Sequence, residues 1–210
     1  MRGGVRKALE QREKFEIFEA ASHSEGLAQI AKINPALIIV DINLPDGNGL
    51  EIVSWVRSIS SQTALVVLSL NESDEYVIAA MNAGAEAILI PKANTKEQML
   101  LLQKHINEME KAYGREVGST AIIPNIEQAP GLVNANEVLS ASEQIVGSLV
   151  ASEDMAVSLN APRRENSEIL NHVRCTFHIA CCSVGITAID MPYTFTDDEG
   201  VRQQTMLARD

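Results

Sequence analysis

The run ALIIVDI (36–42) carries a carboxylate, Asp41, behind five consecutive apolar residues. In an open parallel sheet, catalytic and ligand-binding groups collect where strands end at their carboxyl edge. LPDGNG (44–49) follows as a tight turn whose glycines let the backbone stay close to that aspartate. For an isolated aspartate a turn or helix-cap role would be the default. His172 and His178 lie six apart on a helical pattern, off the i, i+4 spacing of a two-histidine metal site, so core or surface roles are expected. Cys175, Cys181 and Cys182 lack C-x-x-C spacing and show no base in the sequence. They are expected to be packing thiols in a reduced, cytoplasmic protein, with no disulfide framework. TFTDDEG (194–200) is acidic but lacks the alternating ligands of a calcium loop, and reads as a helix-starting turn.

Periodicity supplies the elements that must position these groups. VRKALEQREK has helical character. FEIFEAAS (15–22) alternates and predicts a strand, and SEGLAQIAKI predicts a helix with Ser24 as N-cap, ending before Asn34-Pro35. Continuous apolar runs predict buried parallel strands at 36–42 and 63–70. Between them GLEIVSWVRSI is amphipathic. SDEYVIAAMNAG predicts a helix closed by Gly84, and 85–92 a further strand. Thr95 and Gln98 form a capping box, opening a helix that buries Met99, Leu102, Ile106 and Met109. Strands at 120–127, 145–152 and 185–193, with a helix from about Glu168 to Ser183, complete the pattern. Strand–helix alternation means an α/β fold with a parallel sheet, and no Gly/Ser/Pro-rich linker divides it.

Composition excludes several classes. Of 210 residues, 46% are hydrophobic and 21% charged, ordinary values for a globular chain, and the net charge is −11. That charge argues against nucleic acid and against anionic membrane surfaces, and Arg163-Arg164 is the one basic pair found. No apolar run approaches a membrane span, and MRGGVRKALEQREK lacks the apolar core of a secretory signal.

LIIVDINLPDGNGLE, together with ALVVLS and AMNAGAEA, resembles the response regulator receiver domain over residues 3 to about 87. The resemblance implies a flavodoxin-like part with Asp41 as phospho-acceptor. Ser69 would be the switch hydroxyl and Lys92 the phosphate-contacting lysine. A histidine kinase or phosphotransfer protein is the implied partner. The receiver's first strand and its acidic pair have no counterpart, and Pro91-Lys92 reverses the usual receiver order. Since Mg²⁺ neutralises the transferring phosphoryl group, phosphorylation of Asp41 is expected to be impaired.

From about Ile88 onward a second resemblance takes over. ILIPK, PNIEQAPGLVNA, the ED of VASEDMAVSL, and AIDMPY are similar to the citrate lyase beta-subunit-like (aldolase/citrate lyase) family of TIM barrels. In sequence order they resemble that barrel's fourth to seventh strands. The resemblance implies Glu127 and Asp154 as Mg²⁺ ligands at successive strand ends, and a keto-acid or acyl-coenzyme A substrate. Asp41 is a third metal-ligand candidate. Counterparts of the first three barrel strands, the last strand and the substrate-gripping arginine are not found.

The two resemblances meet in one strand–helix element, Ala83 to Pro91. The expected architecture is a receiver-like part at 1–87 spliced to a partial barrel segment at 88–210 as one α/β unit. All seven strands would lie in one parallel sheet, with Asp41, Ser69, Lys92, Glu127 and Asp154 on its carboxyl-end face. The function implied is a receiver-like signalling module. The alternative is a magnesium-dependent carbon–carbon lyase/aldolase remnant, or a chimeric protein without catalytic activity.

Overall fold

A computed structural model describes residues 16–60, 62–68, 79–81, 83–162, 168–191, 200, 203 and 206. Six parallel strands form one sheet in strict chain order: β1 (Leu37–Asp41), β4 (Ala64–Leu68), β5 (Ala87–Ile90), β6 (Ala121–Ile126), β7 (Gly147–Val150) and β8 (Thr187–Ile189). A two-residue hairpin, β2 (Asn43–Leu44) with β3 (Gly47–Asn48), follows β1. The helices are α1 (His23–Ile33), α2 (Gly49–Ile59), α3 (Lys96–Ala112), α4 (Ala129–Val133), α5 (Ala135–Leu139), α6 (Ser152–Ser158) and α7 (Glu168–Val184). Neighbours in sequence are neighbours in space, which is the order of a barrel wall.

The registers put Ile38, Leu65, Ile88, Ile122 and Pro124 on one face of the sheet. That face joins Val53, Val56, Met99, Ile106, Val138, Leu139 and Phe177 from the helices in a single apolar core. Burying each such side chain contributes about 1.5–3 kcal/mol. Pro124 sits in a central strand, where its missing N–H removes one ladder bond. Its carbonyl accepts the buried Ser148 hydroxyl at 2.7 Å, a separate bond from β7.

The opposite face is only partly covered. Leu37 and Ile39 of β1 are 45% and 38% exposed, and Ile189 of β8 is 40% exposed. The apolar runs led to an expectation of burial on both faces, and the structure corrects it. Among the described residues β1 and β8 pair with no further strand.

The predicted strand at 15–22 is a second correction. Glu16 to Ala20 is coil and forms no ladder. The Glu19 carbonyl instead accepts from Gln29 Nε2 of α1 at 2.7 Å. Among the described residues the main sheet therefore has six strands where seven were expected. The N-cap of α1 is Ser22, whose side chain accepts from Glu25 N, while Ser24 is engaged elsewhere. Asn34 ends α1 in the left-handed region, φ 50°. Gly84, φ 99°, closes the helical residues before β5, and Thr95 with Gln98 forms the expected capping box on α3. Met99, Leu102 and Ile106 are buried as anticipated, joined by Glu110, which is fully buried. Its carboxylate accepts from Thr120 N at 2.7 Å, Gly118 N at 2.5 Å and Ser119 Oγ at 3.2 Å, tying α3 to the start of β6. VRKALEQREK, Arg163-Arg164 and TFTDDEG up to Glu199 lie outside the described residues.

Candidate functional site

Parallel strands share one carboxyl edge, so the residue after each strand lies along a single rim. Asp41 ends β1, Lys92 follows β5, Glu127 follows β6, and Asp154 is in the first turn of α6 just after β7. Four of the five expected site residues therefore stand on that rim. Ser69, one residue past β4, lies outside the described residues.

Glu127 is the most deeply integrated of them, at 5% exposed. Its Oε1 accepts the Lys92 backbone N–H at 3.1 Å, and its Oε2 accepts from Asn125 Nδ2 at 2.5 Å. Residues 125 and 127 share a strand face because side chains alternate, so the amide reaches the carboxylate without crossing the sheet. A buried carboxylate costs free energy unless donors compensate it, and these two do so. Asn125 Oδ1 is itself buried without a hydrogen-bond partner among the described residues.

The Lys92 turn is fixed from several sides. Lys92 is exposed and adopts φ 49°, a left-handed conformation unusual for a side chain that is not glycine. Ala93 N donates to Asn125 O at 3.1 Å, and Asn134 Nδ2 donates to Asn94 O at 3.0 Å. Asn94 Nδ2 reaches Gln128 Oε1 at 2.7 Å. Gly131 presses against this turn so closely that a Cβ there would lie 2.3 Å from Ala93 O. The PNIEQAPGLVNA segment thus builds the cradle for the residues following β5.

Asp154 is exposed and one strand away from Glu127. Ala151 N donates to Ile126 O at 3.2 Å, which keeps the ends of β6 and β7 together. Two carboxylates at adjacent strand ends suit a hard cation that keeps several waters. Among the described residues no group of three His, Cys, Asp or Glu side chains is placed to hold one metal ion. Asp41 does not join Glu127 and Asp154 in such a group. The sheet explains why: two strands stand between β1 and β6, so the rim positions are about 14 Å apart at about 4.8 Å per strand.

Asp41 has its own small frame. It is half-buried, and its Oδ1 accepts from Asn43 N at 3.0 Å in a local turn. Gly49 N donates to Ile42 O at 2.9 Å, and a Cβ at Gly49 would lie 2.0 Å from Asp41 O. The expected close approach of glycine backbone to the aspartate is present. Asp46 ties the hairpin to α1, accepting from His23 N at 2.5 Å, Ser24 N at 3.1 Å and Ser24 Oγ at 2.7 Å. The Ser24 hydroxyl bond, reinforced by the backbone bonds, holds the Asp46 carboxyl down at about 2.

One rim group carried no role in the sequence reading. Asp190, just past β8, forms a two-point ion pair with Arg174 of α7, Nε to Oδ1 at 2.9 Å and Nη2 to Oδ2. The AIDMPY motif held the signal for it, but an arginine sixteen residues earlier is not visible in a motif. His172 and His178 are both exposed, the surface one of the two roles left open by their spacing.

A family description, HpcH/HpaI aldolase/citrate lyase, matches residues 50–209, more than half of the chain. The chain belongs to the HpcH/HpaI aldolase/citrate lyase family. The match begins at residue 50, upstream of the family's motifs, which start at about Ile88. Citrate lyase subunit beta of Escherichia coli K12 is 35% identical over 121 residues, 58% of this chain and 40% of that protein. The chain thus spans about two-fifths of that relative. An HpcH/HpaI aldolase/citrate lyase family protein from Burkholderia cenocepacia J2315 superposes with a TM-score of 0.68 at 16% identity. The superposition covers 89% of this chain and 82% of that one, which establishes the parallel α/β barrel-type fold. The KDP operon transcriptional regulatory protein KdpE of Escherichia coli K12 is 39% identical over 85 residues, 40% of this chain and 37% of that protein. That likeness is confined to a minor part of each chain and brings no histidine kinase partner with it. No described helix is long and apolar enough to cross a membrane.

Proposed function

We propose that the chain is a magnesium-dependent carbon–carbon lyase-type segment, with Glu127 and Asp154 as the residues that hold the metal and a keto-acid or acyl-coenzyme A as the substrate class. The observation that carries this is the buried Glu127 carboxylate at the rim, oriented by the Lys92 N–H and the Asn125 amide and one strand from Asp154. Members of the family generally depend on a divalent metal. When bound, such an ion polarises a substrate carbonyl as a Lewis acid. Glu127 supplies a preoriented ligand, Asp154 a water-facing one, and the Lys92 turn fixes the floor beside them. Calorimetric titration with Mn²⁺ tests the reading: the wild-type chain should bind, and Glu127→Gln or Asp154→Asn should abolish the heat. Binding that survives both substitutions would overturn it.

A second reading rests on the KdpE likeness and on the Asp41 turn: the residues up to about 87 act as a receiver-like part with Asp41 accepting a phosphoryl group, Ser69 and Lys92 assisting. Among the described residues no group of three acidic, histidine or cysteine side chains gathers to hold a metal beside Asp41, so labelling by acetyl phosphate and Mg²⁺ should be slow, confined to Asp41 and lost in Asp41→Asn by intact mass. Rapid stoichiometric labelling would show that other carboxylates replace the pair, and labelling retained in Asp41→Asn would remove Asp41 from the role.

A further inference from the structure

Helix α7 sorts its three thiols by environment. Val173, Phe177 and Cys181 recur every four residues and form its buried stripe. Cys175, His178 and Cys182 recur at three and four residues on another side, and all three are exposed. His178 Nε2 lies 3.4 Å from Cys182 Sγ, within reach of a thiol–imidazole hydrogen bond. From sequence the cysteines had no base. The helix supplies one, because residues four apart lie one turn above each other.

We infer that Cys182, served by His178, is a thiol-modification site that takes low-molecular-weight disulfides, a role separate from the rim carboxylates. His178 Nε2 removes the Cys182 proton as Sγ attacks one sulfur of the incoming disulfide. The sulfur–sulfur bond of the reagent breaks, and its other half leaves as a thiolate. That thiolate takes the proton back from the imidazolium, giving a mixed disulfide on Cys182 and one free small thiol. No external oxidant is needed, since the reagent's disulfide is the oxidised partner.

The neighbours argue for selectivity. Cys181 is fully buried, and burial pushes its thiol up to about 12, with the adjacent Cys182 adding to the shift. It is withheld from exchange while the chain is folded. Cys175 shares the exposure of Cys182 and serves as the internal comparison. A thiol in a water-exposed setting gains less from a base than an enclosed catalytic group, which gains about 10²–10⁴-fold, so a ratio of about tenfold is expected.

The test incubates the full chain with oxidised glutathione and follows each cysteine by peptide mass mapping. Cys182 should be modified about tenfold faster than Cys175, with Cys181 untouched. His178→Ala should bring the Cys182 rate down to that of Cys175, while His172→Ala, an exposed histidine on the same helix, should leave it unchanged. Circular dichroism of each variant checks that α7 is intact. Equal rates at Cys175 and Cys182, or a Cys182 rate unchanged by His178→Ala in a folded variant, would overturn the proposal.

Discussion

Asp41 and Glu127 occupy equivalent places on one sheet, each at the carboxyl end of a parallel strand, yet the chain treats them differently. Asp41 is half-buried, and its hydrogen bond is to a residue two positions away. Glu127 is buried, and one of its bonds crosses 35 positions of sequence to the Lys92 turn. Strand ends thus bring carboxylates to a rim, but the segment after the strand decides what each can do. After β1 a tight hairpin folds back on Asp41 and serves itself. After β6, α4 and α5 brace the turn of the neighbouring strand, and Glu127 becomes part of that brace. The first arrangement leaves a carboxylate open to reagents from solution. The second holds one in a fixed orientation, as a metal ligand requires.

The largest break in this comparison should come from the glycines beneath each carboxylate. Gly49→Ala places a methyl 2.0 Å from Asp41 O, and Gly131→Ala places one 2.3 Å from Ala93 O. Both obstacles are backbone and cannot rotate away, so each substitution should cost about 1–3 kcal/mol or more in urea unfolding. Gly131→Ala should in addition disturb the Lys92 turn, and Gly49→Ala should not. Amide hydrogen exchange at Lys92 distinguishes them: faster in Gly131→Ala, unchanged in Gly49→Ala.

Removing the carboxylates themselves should separate the sites next. Glu127→Ala leaves the part-buried Lys92 N–H and the buried Asn125 amide without their Glu127 acceptor, at about 1–3 kcal/mol for the buried donor and less for the other. Asp41→Ala gives up a local bond at a half-exposed turn and should stay near 0.5 kcal/mol, as surface changes usually do. Equal losses in chemical denaturation would mean that Glu127 is no more integrated than Asp41.

Much of this contrast was legible in the sequence, and the limits are physical. Runs such as ALIIV and TALVVL predict strands because a continuous apolar segment of that length has few other uses in an α/β chain. FEIFEAAS misled because alternation describes a strand's faces and says nothing of whether a partner edge exists. The Glu19 carbonyl found Gln29 instead. Ser22 displaced Ser24 as the cap because Asp46, twenty-two residues beyond Ser24, takes the Ser24 hydroxyl. Glu127 could be flagged from its motif, but its bond to the Lys92 turn depends on two strands being neighbours. Likewise, His178 and Cys182 are both visible in the sequence, and only the folded helix brings them together across one turn.

The smallest effect concerns acid. Asp46 titrates near 2 in the folded chain, below its ordinary 3.8, because donors around α1 favour its charged form. Its contribution to stability is therefore present above about 3.8 and is lost as pH falls through about 2. Relative to wild type, Asp46→Asn should flatten the acid side of a urea-midpoint profile over that window. Unchanged curvature would mean that the Ser24 bonds do not survive in solution.

The most direct test of the account is Mn²⁺ binding read by electron paramagnetic resonance on three proteins side by side. Wild type and Asp41→Asn should quench the free Mn²⁺ signal equally, while Glu127→Gln should leave it free. Loss of binding in Asp41→Asn, or full binding in Glu127→Gln, would contradict the claim that the β6 rim, and not the β1 rim, holds the metal.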